Sequence, residues 1–132
     1  MVKSVFIARK GDGMIFCEVS DECSNDKNLM SVRNKAIEYL RSFQSKQDLC
    51  TVNIGSQNFV FHYKINENIV YLIITELKYP TKLAFCFLEE INEGFLDVSK
   101  CFELIVLIYI KLGIKKSFRN SICLLLFQIR NY

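Results

Sequence analysis

Between Phe59 and Phe95 the chain reads FVFHYKINENIVYLIITELKYPTKLAFCFLEEINEGF, and its apolar positions follow three patterns in turn. Phe59, Phe61, Tyr63 and Ile65 alternate with Val60, His62 and Lys64, which predicts a strand with one apolar and one mixed face. Asn66-Glu67-Asn68 breaks the run with turn-forming residues. Ile69 to Ile74 is then apolar at every position, as expected of a central strand covered on both faces. Pro80 suits the first position of a helix, where a missing N–H costs nothing. Beyond it Leu83, Ala84, Phe87, Leu88, Ile91 and Phe95 form one helical stripe.

The same reading extends to the N-terminus. Lys3–Arg9 and Met14–Val19 are short apolar runs joined by Lys10-Gly11-Asp12-Gly13, a β-hairpin pattern. Ser20 to Lys27 is polar, and its acidic residues, with Glu18, Asp21, Glu22 and Asp26, read as solvated surface. From an Asn28 cap, Leu29, Val32, Ala36, Leu40 and Phe43 predict a helix running to about Gln47. Cys50 to Ile54 is a third strand, the least apolar, and therefore placed at a sheet edge. The order β-β-α-β-β-β-α has no repeated βαβ crossover, so a doubly wound fold is excluded. An α+β architecture follows, with a five-stranded, mainly antiparallel sheet and one helix on each face.

Composition adds limits rather than chemistry. The chain has 132 residues, enough for one domain with its own core, and 51% hydrophobic content argues against disorder. Residues 1 to 100 carry 12 basic and 13 acidic side chains, and residues 101 to 132 five basic and one acidic, so the overall +3 sits in the tail. So weak a charge gives no ground for nucleic acid as a partner. Met1 to Arg9 lacks the apolar stretch and cleavage site of a secretory signal. Cys17, Cys23, Cys50, Cys86, Cys101 and Cys123 form no CxxC pair and His62 is the sole histidine, so neither a zinc site nor any cofactor is expected. These cysteines read as reduced thiols acting as small hydrophobes.

Sharper chemical readings fail on the residues they need. His62 with a cysteine lacks an orienting third group and an oxyanion turn. Glu89 and Glu90 are adjacent on a helix and point apart. Gly11-Asp12-Gly13 joins two strands with no helix N-terminus behind it, so it is a hairpin turn and not a phosphate loop. No enzyme is expected.

Several stretches together resemble the N-terminal longin domain of vesicle SNAREs: SVFIARKGDGM at the start, FHYKI with NIVYLIITE, and YPTKLAFCFLEEINEGF. The likeness is greatest to the ER–Golgi R-SNARE branch, which carries FHY on its fourth strand and an aromatic-Pro-x-Lys-Leu-Ala-Phe helix start. Tyr79, Pro80, Lys82, Leu83, Ala84 and Phe85 match that start. The resemblance covers about residues 1–100 and implies a profilin-like fold. It also implies a regulatory and sorting role at the cytosolic face of ER and Golgi membranes, with a SNARE-motif peptide or vesicle coat proteins as partners. It implies a groove between the first helix and the third strand, where Met30, Ile37, Val52 and Ile54 are the expected partner-binding residues. A profilin-like trafficking scaffold or adaptor subunit is the alternative, since fold alone does not decide function.

Family members continue into a third helix, a SNARE coiled coil and a membrane anchor, and residues 101–132 match none of these signatures. No apolar run in the tail approaches the roughly 20 residues that a membrane span needs, and no CaaX box ends the chain. From about Phe102 a third helix beside the second is expected. Its uncovered side, with Ile122 to Phe127, would face a second copy of the chain or a lipid surface; Lys111, Lys115, Lys116 and Arg119 read first as solvated charge, and otherwise would suit anionic lipid. An end from a truncated or alternatively processed transcript is a further reading of this tail.

Overall fold

The computed structural model describes residues 2–20, 27–44 and 47–96, together with Ile108 and Leu112. Its elements are β1 (Val2–Arg9), β2 (Ile15–Ser20), α1 (Lys27–Arg41), β3 (Leu49–Val52), β4 (Phe59–Asn66), β5 (Ile69–Glu76) and α2 (Thr81–Leu96). The strands form one sheet in the order β2-β1-β5-β4-β3, and every pairing is antiparallel. The last strand in the chain is therefore inserted between the first and the fourth.

Each face of the sheet carries its own core because every central strand alternates between them. Phe6 and Ala8 of β1, Phe59, Phe61, Tyr63 and Ile65 of β4, and Val70, Leu72 and Ile74 of β5 pack under α1. Val5 and Ile7, with Tyr71 and Ile73, pack under α2. β5 is buried from Ile69 to Thr75, as a strand covered on both sides must be. The α1 stripe Leu29, Val32, Ala36 and Leu40 is buried throughout. On α2 the expected stripe holds for Ala84, Phe87, Leu88, Ile91 and Phe95, but Leu83 is 51% exposed. Leu83 lies at the stripe's margin, one residue before Ala84.

Local chemistry sets the ends of the elements. α1 stops at Arg41, short of Gln47, where Ser42 returns both its N–H and its hydroxyl to the Glu38 carbonyl at 3.2 and 3.1 Å. Phe43 then turns inward against Tyr63, edge-on at 5.0 Å. β3 ends at Val52, because Asn53 Oδ1 accepts the Gly55 N–H at 2.9 Å in a tight turn. Pro80 sits one residue before α2, and its carbonyl accepts the Ala84 N–H at 3.0 Å. In the β1–β2 turn, Asp12 accepts from Arg9 Nε at 3.0 Å and from the Met14 N–H at 3.1 Å. These bonds hold its carboxyl near pKa 2. Gly13 at φ 72° lies so close to α1 that an added Cβ would stand 2.6 Å from the Arg41 Cα.

Ile108 and Leu112 are helical and buried in the core under α2. The rest of the tail, including the third helix expected from Phe102 and the apolar run Ile122 to Phe127, lies outside the described residues. So do Asp21, Glu22, Asp26, Cys23, Cys101 and Cys123.

Candidate functional site

β3 is the shortest strand and closes one side of the sheet, pairing with β4 alone among the described strands. Such an edge leaves a row of main-chain donors and acceptors for another chain to meet. Its residues alternate in the usual way. Leu49 and Thr51 are exposed, whereas Cys50 and Val52, followed by Ile54, are half-buried against the core under α1.

The side of α1 nearest this edge is defined by its ring contacts. Tyr39 lies 6.1 Å from the Phe61 ring and 6.3 Å from the Tyr63 ring of β4, and edge-on to Phe43 at 5.5 Å. Burial pushes the Tyr39 phenol above its ordinary value, and the Cys50 thiol across the gap adds to the shift. Counting back from Tyr39 at helical spacing gives Lys35, Val32 and Asn28 on the same flank. Asn28, Ser31, Val32 and Lys35 line a cleft of about 240 Å³ with Ser56, Gln57 and Asn58. The loop forming that wall is held by its own side chains: Ser56 Oγ accepts the N–H groups of Asn58 and Phe59, each at 3.2 Å. The groove between β3 and this flank of α1 is thus bordered by half-buried Cys50, Val52 and Ile54 on the strand side and by Tyr39 and the cleft on the helix side.

Of the four expected site residues, Val52 and Ile54 stand together at this groove. Met30 and Ile37 do not. Met30, Arg33 and Ile37 follow one another at spacings of three and four, so they share one flank of α1. Arg33 holds both carboxylate oxygens of Glu18 on β2, one of them from Nη2 at 2.8 Å. That flank therefore faces β2, on the far side of a sheet whose edges are four strand spacings, or roughly 19 Å, apart. Met30 is 62% exposed there and Ile37 half-buried. Periodicity marks the centre of a buried stripe. It does not tell which flank meets which edge, because that depends on the direction in which the helix crosses the sheet. The groove residues missed from sequence are Tyr39, Lys35 and Asn28, and an aromatic residue beside the stripe was the available signal. Glu18 was also misread: it is half-buried and ion-paired rather than freely solvated.

On the opposite face His62 is only 1% exposed. Its Nδ1 lies 2.8 Å from Thr51 Oγ1 and its Nε2 3.0 Å from Thr75 Oγ1, with Phe85 edge-on at 6.0 Å. Both ring nitrogens are thus occupied by hydroxyls, and burial lowers its basicity. Cys17 is buried, and desolvation pushes its thiol up to about 12, which makes it inert. Among the described residues no group of three or more His, Cys, Asp or Glu could hold a metal ion, and no helix is long and apolar enough to cross a membrane.

Comparison with known proteins agrees with this geometry. The family model described as the longin, regulated-SNARE-like domain matches residues 16–101. Protein transport protein sec22 of Schizosaccharomyces pombe is 37% identical over 95 residues, covering 72% of this chain and 43% of that protein. Vesicle-trafficking protein SEC22b of Xenopus tropicalis is 30% identical over 97 residues, and the 25.3 kDa vesicle transport protein SEC22-1 of Arabidopsis thaliana 31% over 97, each covering 72% of this chain and 44% of the relative. The chain thus spans less than half the length of these relatives. The family is one of membrane traffic and not of enzymes. A sheet of this order between two helices, the family match across most of it and these identities together establish that the chain belongs to the longin family, with a domain of the SEC22 kind.

Proposed function

We propose that this domain is a non-catalytic regulatory and sorting module of ER–Golgi vesicle traffic, working at the cytosolic face of those membranes. In this reading it binds an extended peptide, a SNARE segment or part of a coat protein, along β3 and the Asn28–Tyr39 flank of α1. The observation that carries the proposal is the union of a strand edge unpaired among the described residues with half-buried Cys50, Val52 and Ile54 beside a cleft. An added strand would gain main-chain hydrogen bonds from β3 and drop alternate side chains toward Tyr39. The SEC22 relatives are named for protein transport and vesicle trafficking, which supports this assignment.

The test is a pair of substitutions on opposite flanks. Val52→Glu places a charge in the groove, and affinity for a labelled SNARE-motif peptide should fall at least about tenfold, since an uncompensated charge at an apolar contact costs more than 1.4 kcal/mol. Ile37→Glu, on the β2 flank, should leave affinity within about twofold. Circular dichroism melts on both variants separate binding from folding. Equal losses from the two substitutions, or none from Val52→Glu, would remove β3 from the binding surface.

A further inference from the structure

We propose that His62 is an acid-sensitive latch on β3, so that protonation of its ring releases the edge strand while the centre of the sheet stays closed. The significance for partner binding rests on the groove assignment above, but the latch itself does not.

The hydrogen-bond network fixes the state of the ring. The hydroxyl of Thr75 donates to the Glu76 carbonyl at 3.1 Å and has no second proton to give. Nε2 of His62 must therefore carry the hydrogen and donate it to Thr75 Oγ1, which leaves Nδ1 as the acceptor of the Thr51 hydroxyl. Three adjacent strands are thereby joined in one line, from the edge residue Thr51 on β3 through His62 on β4 to Thr75 on β5. Protonation of the ring falls on Nδ1, at the β3 end.

The surroundings give an imidazolium nothing to pair with among the described residues. On β4, Lys64 shares the face of His62 and is itself a cation, held by Glu89 of α2 at 2.9 Å. On β5, Glu76 pairs with Lys3 of β1 at 3.3 Å, and Tyr71 carries a buried phenol. From β3 the face presents Leu49 and Thr51, and from α2 it presents Phe85, with Cys86 beside it exposed. A charge formed here must reach water, and the nearest way out is past Thr51, which is already exposed. β3 has only four residues and, among the described residues, one neighbouring strand, so it opens before β4 or β5 can.

The sign follows from linkage. In the opened form the ring takes its ordinary value near 6.5, whereas closed burial lowers it. Opening therefore takes up a proton as pH falls below 6.5, and acid favours release. Above that value the latch is insensitive to pH.

Amide hydrogen exchange on the free protein, corrected for intrinsic rates, reads this directly. Between pH 7.5 and 5.5 the protection of those β3 amides bonded to β4 should be flat at first. It should then fall by up to about tenfold per pH unit, the limit for one proton. Protection in β1 and β5 should hold. In His62→Gln, which cannot take up a proton, the slope should vanish. Thr51→Val provides the second arm if His62→Gln does not fold: it removes the tie, so β3 protection should drop severalfold at pH 7.5. Flat β3 protection in the natural chain, a fall shared equally by β1 and β5, a slope that survives in His62→Gln, or unchanged protection in Thr51→Val would each overturn the latch. The measurement uses no peptide, so a failed groove assignment leaves its outcome intact.

Discussion

Replacing Phe6 by alanine should lower the unfolding free energy by about 3–5 kcal/mol, the usual cost of deleting a fully enclosed phenyl ring. Phe6 has no exposed surface and sits on β1, opposite Leu72 of β5, in the core under α1. Removing the ring loses its transfer free energy and leaves a void that β1 and β5 cannot collapse into, because each is paired on both sides. Against a total stability of roughly 5–15 kcal/mol for a domain, this is a large fraction. Urea unfolding followed by circular dichroism checks the figure. A loss below about 1.5 kcal/mol would mean that the α1-side core is far more plastic than its burial implies.

Gly13→Ala should be nearly as damaging, although it adds a single methyl at a turn. Two costs combine there. A left-handed conformation costs an L-residue about 1–2 kcal/mol, and forcing a methyl into occupied space typically adds about 1–3 kcal/mol. The occupant is the backbone of α1, with Arg41 Cα at 2.6 Å and the Leu40 carbonyl oxygen at 2.7 Å, so no side chain can swing aside. A loss of about 3 kcal/mol is expected, or roughly ten degrees in melting temperature for a domain of this size. Gly11→Ala is the control, since Gly11 also has positive φ but faces open space. If the two variants melt together, the close approach of hairpin and helix contributes nothing.

Much of this fold was legible before any coordinates, and the reasons differ by element. Ile69 to Ile74 declared a central strand because only a segment covered on both faces can be apolar at every position. Leu29, Val32, Ala36 and Leu40 declared the inner face of α1 by period alone. β3 declared an edge by its thinness in apolar residues. The proposed groove draws on the sequence reading only for its strand side, in Val52 and Ile54. Its helix side was assigned to Met30 and Ile37, because the direction in which α1 crosses the sheet leaves no trace in a periodic pattern. The Arg33–Glu18 pair that reveals this direction joins residues 15 positions apart, and either one alone looks like ordinary surface charge. The role of His62 was hidden for a similar reason: its partners come from β3 and β5, and neither threonine stands out in the sequence.

The place of β5 in the sheet also governs the order in which the molecule is made. β1 leaves the ribosome first, yet one of its two neighbours is a strand that begins at Ile69, and Val2 finds its partner only at Thr75. Until then no strand joins the β1–β2 hairpin to the β3–β4 pair, α1 alone reaches both, and the face of β1 that packs under α2 lacks its cover. Contacts this distant in sequence slow folding, because the closure of a long loop must come before any gain from them. Synthesis of this domain therefore passes through a stage in which its most apolar N-terminal strand has an open inner edge, the form most prone to pair with the wrong chain. A ribosome-bound chain halted before Ile69 should be held by chaperones, and one released beyond Leu112, once Ile108 and Leu112 can join the core under α2, should fold in a single step.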